Sequence, residues 1–278
     1  MLRALAVAGL LLDACRAFGQ PATPRPEFEV ASIKLNKSAD FRGMTNNVHG
    51  RFTATNMPLQ VLITLAYRIK DFQLSGAPAW LTSERYDVEA KAEGDLAFEA
   101  MLPMLQTLLE DRLQLKFHRE TKEVPVYALV VAKAGKLREA EGECGPRPNT
   151  PPPPPEPGKL PTTPCGGFFL FPGRLSGQRV AITQLADSLS RLTSRVVLDK
   201  TNLTGKYDIN LDYTPEQGQL QGLPGGAPPP GLPPLPPADP NGPSLFSALQ
   251  EQLGLKLESQ KGPVEMLVID HVERPSEN

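Results

Sequence analysis

The chain has 278 residues, with 29 Lys+Arg against 31 Asp+Glu and a formal net charge of -2. That balance argues against nucleic acid as the main partner, because phosphate binding needs a clustered basic face. An aromatic share of 6 % argues against a base-stacking platform. The 31 prolines and 23 glycines, many of them in two tracts, account for an apolar share of only 40 %.

The first segment reads as a secretory leader, residues 1–19. Arg3 supplies a positive start, Ala4 to Leu12 a short apolar run, and Ala17-Phe18-Gly19 small residues before a cleavage point between Gly19 and Gln20. The run is too short to span a bilayer, which needs about 20 apolar residues. The mature chain is therefore expected outside the cytoplasm, with no transmembrane helix. A second reading takes Leu12-Asp13-Ala14-Cys15 as a lipobox with lipid on Cys15, although Asp13 fits such a box poorly.

Next comes a leading strand, Phe28 to Leu35, anchored by Val30 and Ile33. From here the chain looks duplicated, a first α+β unit over 27–141 and a second over 173–274. Gly50-Arg51-Phe52 heads the first and Gly173-Arg174-Leu175 the second. A helix follows in each, with Leu59, Leu62, Ile63, Ala66 and Tyr67 on one apolar face, and Ile182, Leu185, Leu189 and Leu192 on the other. A short strand and a turn lead to Tyr86-Asp87-Val88 and to Tyr207-Asp208-Ile209.

The second helix of each unit spans about Ala100 to Asp111 and about Ser244 to Gln252, with Ser244 as N-cap. Pro103 fits only in a first turn. The helices run into Leu113-Gln114-Leu115-Lys116 and Leu253-Gly254-Leu255-Lys256, and the units close on the strands after Pro125-Val126 and Pro263-Val264. Arg119 to Glu123 reads as a solvated hairpin tip. The order is strand, helix, strand, strand, helix, strand, strand. That is an α+β plan with helices on one face of a mainly antiparallel or mixed sheet.

Proline-rich stretches punctuate this plan, a linker at 142–172 and an insertion at 215–243. Such segments favour extended polyproline II and build no core. Cys144 and Cys165 bracket the first. Once the leader is removed they are an even pair in an oxidising compartment, so a disulfide is expected. It would close a loop of about 20 residues and stabilise by roughly 3 kcal/mol in the chain-entropy account.

Several of these segments carry a resemblance. Phe28-Glu29-Val30-Ala31-Ser32-Ile33-Lys34, Gly50-Arg51-Phe52, Ala79-Trp80-Leu81 with Tyr86-Asp87, Leu109 to Val131, and Leu198 to Asp208 resemble the acidobacterial "Soli C-terminal" family, a secreted domain of unknown function. The resemblance covers nearly the whole mature chain. It implies export and a bacterial envelope setting, and it brings no catalytic residues to carry over. Each half also resembles, more weakly, the short N-terminal domain of secretins and TonB-dependent receptors, through its amphipathic helix, Val196-Val197, and the turn Leu203-Thr204-Gly205-Lys206-Tyr207. That likeness implies binding of protein partners, by analogy of fold alone.

Motifs for chemistry are sparse. His49, His118 and His271 form no HExxH arrangement. His118-Arg119-Glu120 and His271-Val272-Glu273 each place a His and a carboxylate on one strand face, half a metal site at most. Asp208-Ile209-Asn210-Leu211-Asp212 alternates oxygen ligands, but Tyr213 and Gln219 stand where a calcium loop needs Gly and Glu. Gly173-Arg174-Leu175-Ser176-Gly177 has its serine one place late for a nucleophile elbow. Trp80 reads as core or loop packing. Asp87 and Asp208 recur after a Tyr in both units, so they read as carboxylates satisfying a turn. No catalytic, metal or cofactor residue is assigned and no cofactor is expected.

The reading that follows is a non-catalytic extracytoplasmic module whose groove or sheet edge takes an envelope protein or peptide by main-chain hydrogen bonding. A secreted hydrolase with a spatially assembled site around the histidines is the alternative, and a structural envelope lipoprotein the third.

Overall fold

The computed structural model describes residues 25–38, 43–145, 160, 162–215 and 242–276. The leader, its cleavage point and Cys15 lie outside these residues, as do 146–159 and 216–241 of the two proline tracts. Among the described residues no helix is long and apolar enough to cross a membrane.

The first half contributes β1 (Val30–Leu35), β2 (Met44–Val48), β3 (Arg51–Met57) and helix α1 (Leu59–Ala66). A 3-10 turn at Asp71–Gln73 leads to the two-residue β4 (Leu74–Ser75), the short α2 (Trp80–Ser83), β5 (Tyr86–Lys91), α3 (Phe98–Leu113) and β6 (Lys116–Val131). The second half contributes β7 (Arg138–Glu139), β8 (Gly167–Phe171), β9 (Arg174–Ala181), α4 (Ile182–Thr193), β10 (Val197–Asp199) and β11 (Lys206–Asp212). Helix α5 (Leu245–Ala248) runs on as a π turn, Leu249–Leu253, into β12 (Leu255–His271). The fold is α+β, with helices packed against the sheets.

The described residues form three four-stranded sheets, ordered β1-β5-β3-β2, β10-β6-β12-β4 and β7-β11-β9-β8. The outer two are antiparallel and each belongs to one half. The central sheet is built from both. Strands β6 and β12 pair antiparallel along nearly their whole length, from Leu255 opposite Val131 to His271 opposite Lys116. The short strands then cross over: β4 of the first half lies parallel to β12, and β10 of the second lies parallel to β6.

The cores follow this exchange. The first is built on Phe52, Leu59, Ile63, Leu105 and Leu109, and takes Leu267 and Ile269 from the distant β12. The second is built on Leu175, Leu185, Leu189, Ile209 and Leu249, and takes Leu129 from β6. Each such side chain is worth roughly 1.5–3 kcal/mol on burial. Each half therefore completes the other's core.

Four expectations change in detail. The two strands expected around Arg119 to Glu123 are one continuous strand, so that run is no hairpin tip. Thr121 stands opposite Glu265, and Arg119 pairs with Glu265 across the ribbon. A charge run survives mid-strand because the partner strand satisfies the ladder while both faces stay wet. Pro125 and Pro263 lie beyond the stretches that β10 and β4 pair with, where each strand keeps a bare edge that tolerates proline. Pro103 sits beyond the first turn of α3, because the helix starts at Phe98. It is exposed together with Glu99, so water can bond the carbonyl that lost its donor. In β1, Ile33 is buried but Val30 is 65 % exposed. Their odd spacing sends them to opposite faces.

Tight turns are encoded locally. His49 and Gly50 join β2 to β3 with φ 50° and 68°, the two positive values a type I′ hairpin needs. Ser244 caps α5 as expected, its hydroxyl accepting the N–H of Ser247 at 3.2 Å.

Candidate functional site

Where the two halves meet, an open groove of about 700 Å³ lies between α1, the first turns of α3 and the C-terminal half of α4. Its apolar wall is Val61, Leu65 and Ile69 from the α1 side, with Phe98 and Leu102 from α3. Leu65, Ile69 and Phe98 are partly buried against the first core and line the groove as well. Asp187 and Arg191 of α4, with Ser194 just past its end, form the opposite wall.

A strap, Arg68 to Phe72, crosses between the walls. It starts where Arg68 turns left-handed at φ 53° after α1. Gln73, just after the strap, braces it against β12. Its Oε1 accepts the Lys70 N–H at 3.0 Å, and its Nε2 donates to the Glu265 carbonyl of β12, also at 3.0 Å. The Lys70 ammonium, its side chain only 18 % exposed, pairs with Asp187 of the other half. Asp187 is also reached by Arg191 at 3.4 Å.

Phe72 is half-buried and belongs to neither core. It lines the groove and also a smaller depression of about 230 Å³ formed with Val124, Pro125, Val264 and Met266. The site thus combines apolar walls, an aromatic at the junction of two hollows, and a rim of balanced charge. Arg68, Lys70 and Arg191 line it together with Asp71, Glu99 and Asp187. Such a lining suits an apolar segment with polar flanks. The Thr64 hydroxyl in the wall is already committed to the Val61 carbonyl at 3.0 Å.

The residues singled out in the sequence are placed elsewhere. His49 sits in the β2–β3 turn, 3.1 Å from Asp95. His118 approaches Asp270 across the strands at 2.8 Å, rather than Glu120, which pairs with Lys122. His271 does meet Glu273, at 3.0 Å. All three are exposed, and among the described residues no three His, Cys, Asp or Glu side chains gather as metal ligands would.

On β11, Ile209 and Leu211 are buried while Asp208, Asn210 and Asp212 line the other face. Asp212 pairs with Arg174. Asp208 accepts the N–H of Arg179 at 2.9 Å, and Asp87 accepts that of Asn56 at 2.8 Å. Asn56 and Arg179 are left-handed residues, at φ 55° and 51°, at irregularities in the pairing of β3 and β9. The recurring carboxylates therefore serve β-bulges, where a turn was expected.

Trp80 is half-buried against the first core, with the Arg274 guanidinium 5.1 Å from its ring centre. Arg274 also grips Glu84 through two nitrogens, and the Tyr86 hydroxyl donates to Glu84 at 2.7 Å. The Arg274 hydrogen bonds, then that of Tyr86, hold the Glu84 carboxyl below its ordinary range. Burial first of all raises the phenols of Tyr67, Tyr86 and Tyr213, the last to about 12.

Cys144 and Cys165 are bridged, with Cα atoms 5.7 Å apart. Arg179 braces this corner, donating to the carbonyls of Glu141 at 2.9 Å and Glu143 at 3.1 Å.

Residues 60–272 match DUF3738, a family of proteins of unknown function. The chain belongs to this family. The match runs from α1 through β12, so it takes in every wall of the groove and both halves of the shared sheet. No curated protein and no solved structure matches the chain.

Proposed function

We propose that this DUF3738 protein is a non-catalytic binding module of the bacterial envelope, exported from the cytoplasm, which seats a peptide segment of a protein partner in the groove between α1, α3 and α4. The observation that carries this reading is Phe72. It is a half-buried aromatic held on a braced strap, claimed by neither core, at the junction of two apolar hollows. Aromatic anchors in such positions supply much of the energy of protein recognition. The leader-like start, the bridged cysteines and the resemblance to the Soli C-terminal family support the extracytoplasmic setting. The weaker likeness to the short domain of secretins and TonB-dependent receptors supports a protein partner.

The test is site-specific photocrosslinking in envelope extract of the source organism, with a photoreactive phenylalanine analogue at position 72 or, as control, at the exposed Lys34 on the first outer sheet. A discrete adduct from position 72 is expected, absent from position 34 and lost in a Leu65→Asp background. Adducts from position 34 alone, or capture of a partner that Leu65→Asp leaves unchanged, would overturn the groove as the binding site.

A further inference from the structure

We infer that the outer edge of β2 is a self-pairing edge, through which two copies of this chain join their first sheets into one continuous antiparallel sheet. β2 ends its sheet, bonded among described strands only to β3. All five of its residues, Met44-Thr45-Asn46-Asn47-Val48, are exposed. Natural edges are blunted by charge, proline, bulges or short length. β2 has none of these. Its ladder with β3 is unbroken from Met44 opposite Thr55 to Val48 opposite Arg51.

The other edges differ. β4 and β10 are two and three residues long. β1 carries Lys34, and in β8 only Leu170 of the five residues is exposed.

The sequence of β2 selects the occupant. A two-fold axis at Asn46 sets Met44 of one copy opposite Val48 of the other, twice. These side chains are 69 % and 50 % exposed in the single chain, and would cover each other. Thr45 then meets Asn47, Asn46 meets itself, and no like charges face one another, so every cross-strand pair is compatible. The paired area is small, which makes the association weak and reversible. This surface is separate from the groove.

Sedimentation velocity over a wide concentration range tests it, on the mature chain and its Asn46→Lys variant, with circular dichroism to verify the fold. A dimer that grows with concentration is expected. Asn46→Lys sets two ammonium groups opposite each other and should weaken association by about tenfold or more. A second variant, Asn46→Cys, should form a covalent dimer in oxidised glutathione. A chain that stays monomeric at every concentration would overturn the proposal. So would a dimer indifferent to Asn46→Lys, or slow hydrogen exchange in the dilute monomer at the β2 amides that point away from β3, which would mean that the chain covers its own edge.

Discussion

The Asp87 carboxylate accepts the backbone N–H of Asn56 at 2.8 Å, where β3 turns left-handed near its end. Asp208 and Arg179 repeat the arrangement in the second half at 2.9 Å. Each carboxylate lies on the strand that pairs with the bulge, so it takes a donor that the interrupted ladder has left over. Asn56 is 2 % exposed, so water is a poor substitute there. Asp87→Ala should cost about 1–3 kcal/mol, the usual penalty for stranding a buried donor. Asp208→Ala should cost less, because Arg179 lies nearer solvent. Urea unfolding midpoints check this, and equal small losses at both sites would show that the bulges hold without their carboxylates.

The crossed central sheet makes a second prediction. Leu267 and Ile269 of β12 lie in the first core, and Leu129 of β6 in the second. Residues 25–137 or 138–276 expressed alone should therefore lack a cooperative unfolding transition, while the whole chain melts as one unit. Calorimetry and amide-dispersion spectra of each half decide it. A half that folds alone would mean that the exchanged strands are accessory to its core.

Much of this fold was legible, for a physical reason. Local periodicity exposed the apolar stripes of α1 and α4, and Leu59, Leu62, Ile63, Leu185 and Leu189 are all fully buried. The repeat of Tyr-Asp after the first helix marked β5 and β11. Long-range pairing was not legible. Arg119 to Glu123 reads as a loop because nothing local announces a partner strand more than a hundred residues away. The groove was hidden in the same way, since Lys70 meets Asp187 across 117 positions of sequence. Phe72 carries no pattern of its own, and its meaning comes from what surrounds it.

Gly50 should be intolerant of any side chain. Its φ is 68°, and a Cβ there would come within 2.0 Å of the Gly94 carbonyl oxygen. Relieving that contact means moving backbone at the β2–β3 hairpin or after β5. Gly50→Ala should cost more than the ~1 kcal/mol typical of a left-handed glycine alone. His49→Gly, at the other turn position, should be tolerated. Thermal melts of the two variants compare them, and near-native stability of Gly50→Ala would show that the loop after β5 yields.

Reducing the Cys144–Cys165 bridge, or replacing both residues by Ser, should destabilise by roughly 3 kcal/mol through the freed loop. Arg179 bonds to the carbonyls of Glu141 and Glu143 beside the bridge, so the loss should be smaller if these contacts hold the segment without it. Denaturant unfolding with and without reductant, repeated on Arg179→Lys, separates the two. A combined loss larger than the sum of the two would show that bridge and guanidinium brace the same segment redundantly, and no additional loss would show that the guanidinium contacts depend on the bridge.

The cluster of Trp80, Glu84, Tyr86 and Arg274 links the C-terminal segment to α2 and carries its own reporter, because Trp80 is the only tryptophan. Arg274 and then Tyr86 hold the Glu84 carboxyl below its ordinary value. A carboxylate depressed in this way stabilises the folded form above its unfolded pKa. That contribution is lost as pH falls through the lower, folded value. Acidification should therefore release Arg274 from Glu84 before global unfolding, and the guanidinium 5.1 Å from the indole should move with it. Trp80 emission should shift in that acid range. In Arg274→Ala the step should vanish from the fluorescence, and the Glu84 titration, followed by carboxyl NMR, should move upward. If Trp80 emission stays flat until the whole chain unfolds, or if Arg274→Ala titrates like the parent, the carboxylate does not hold the C-terminal segment.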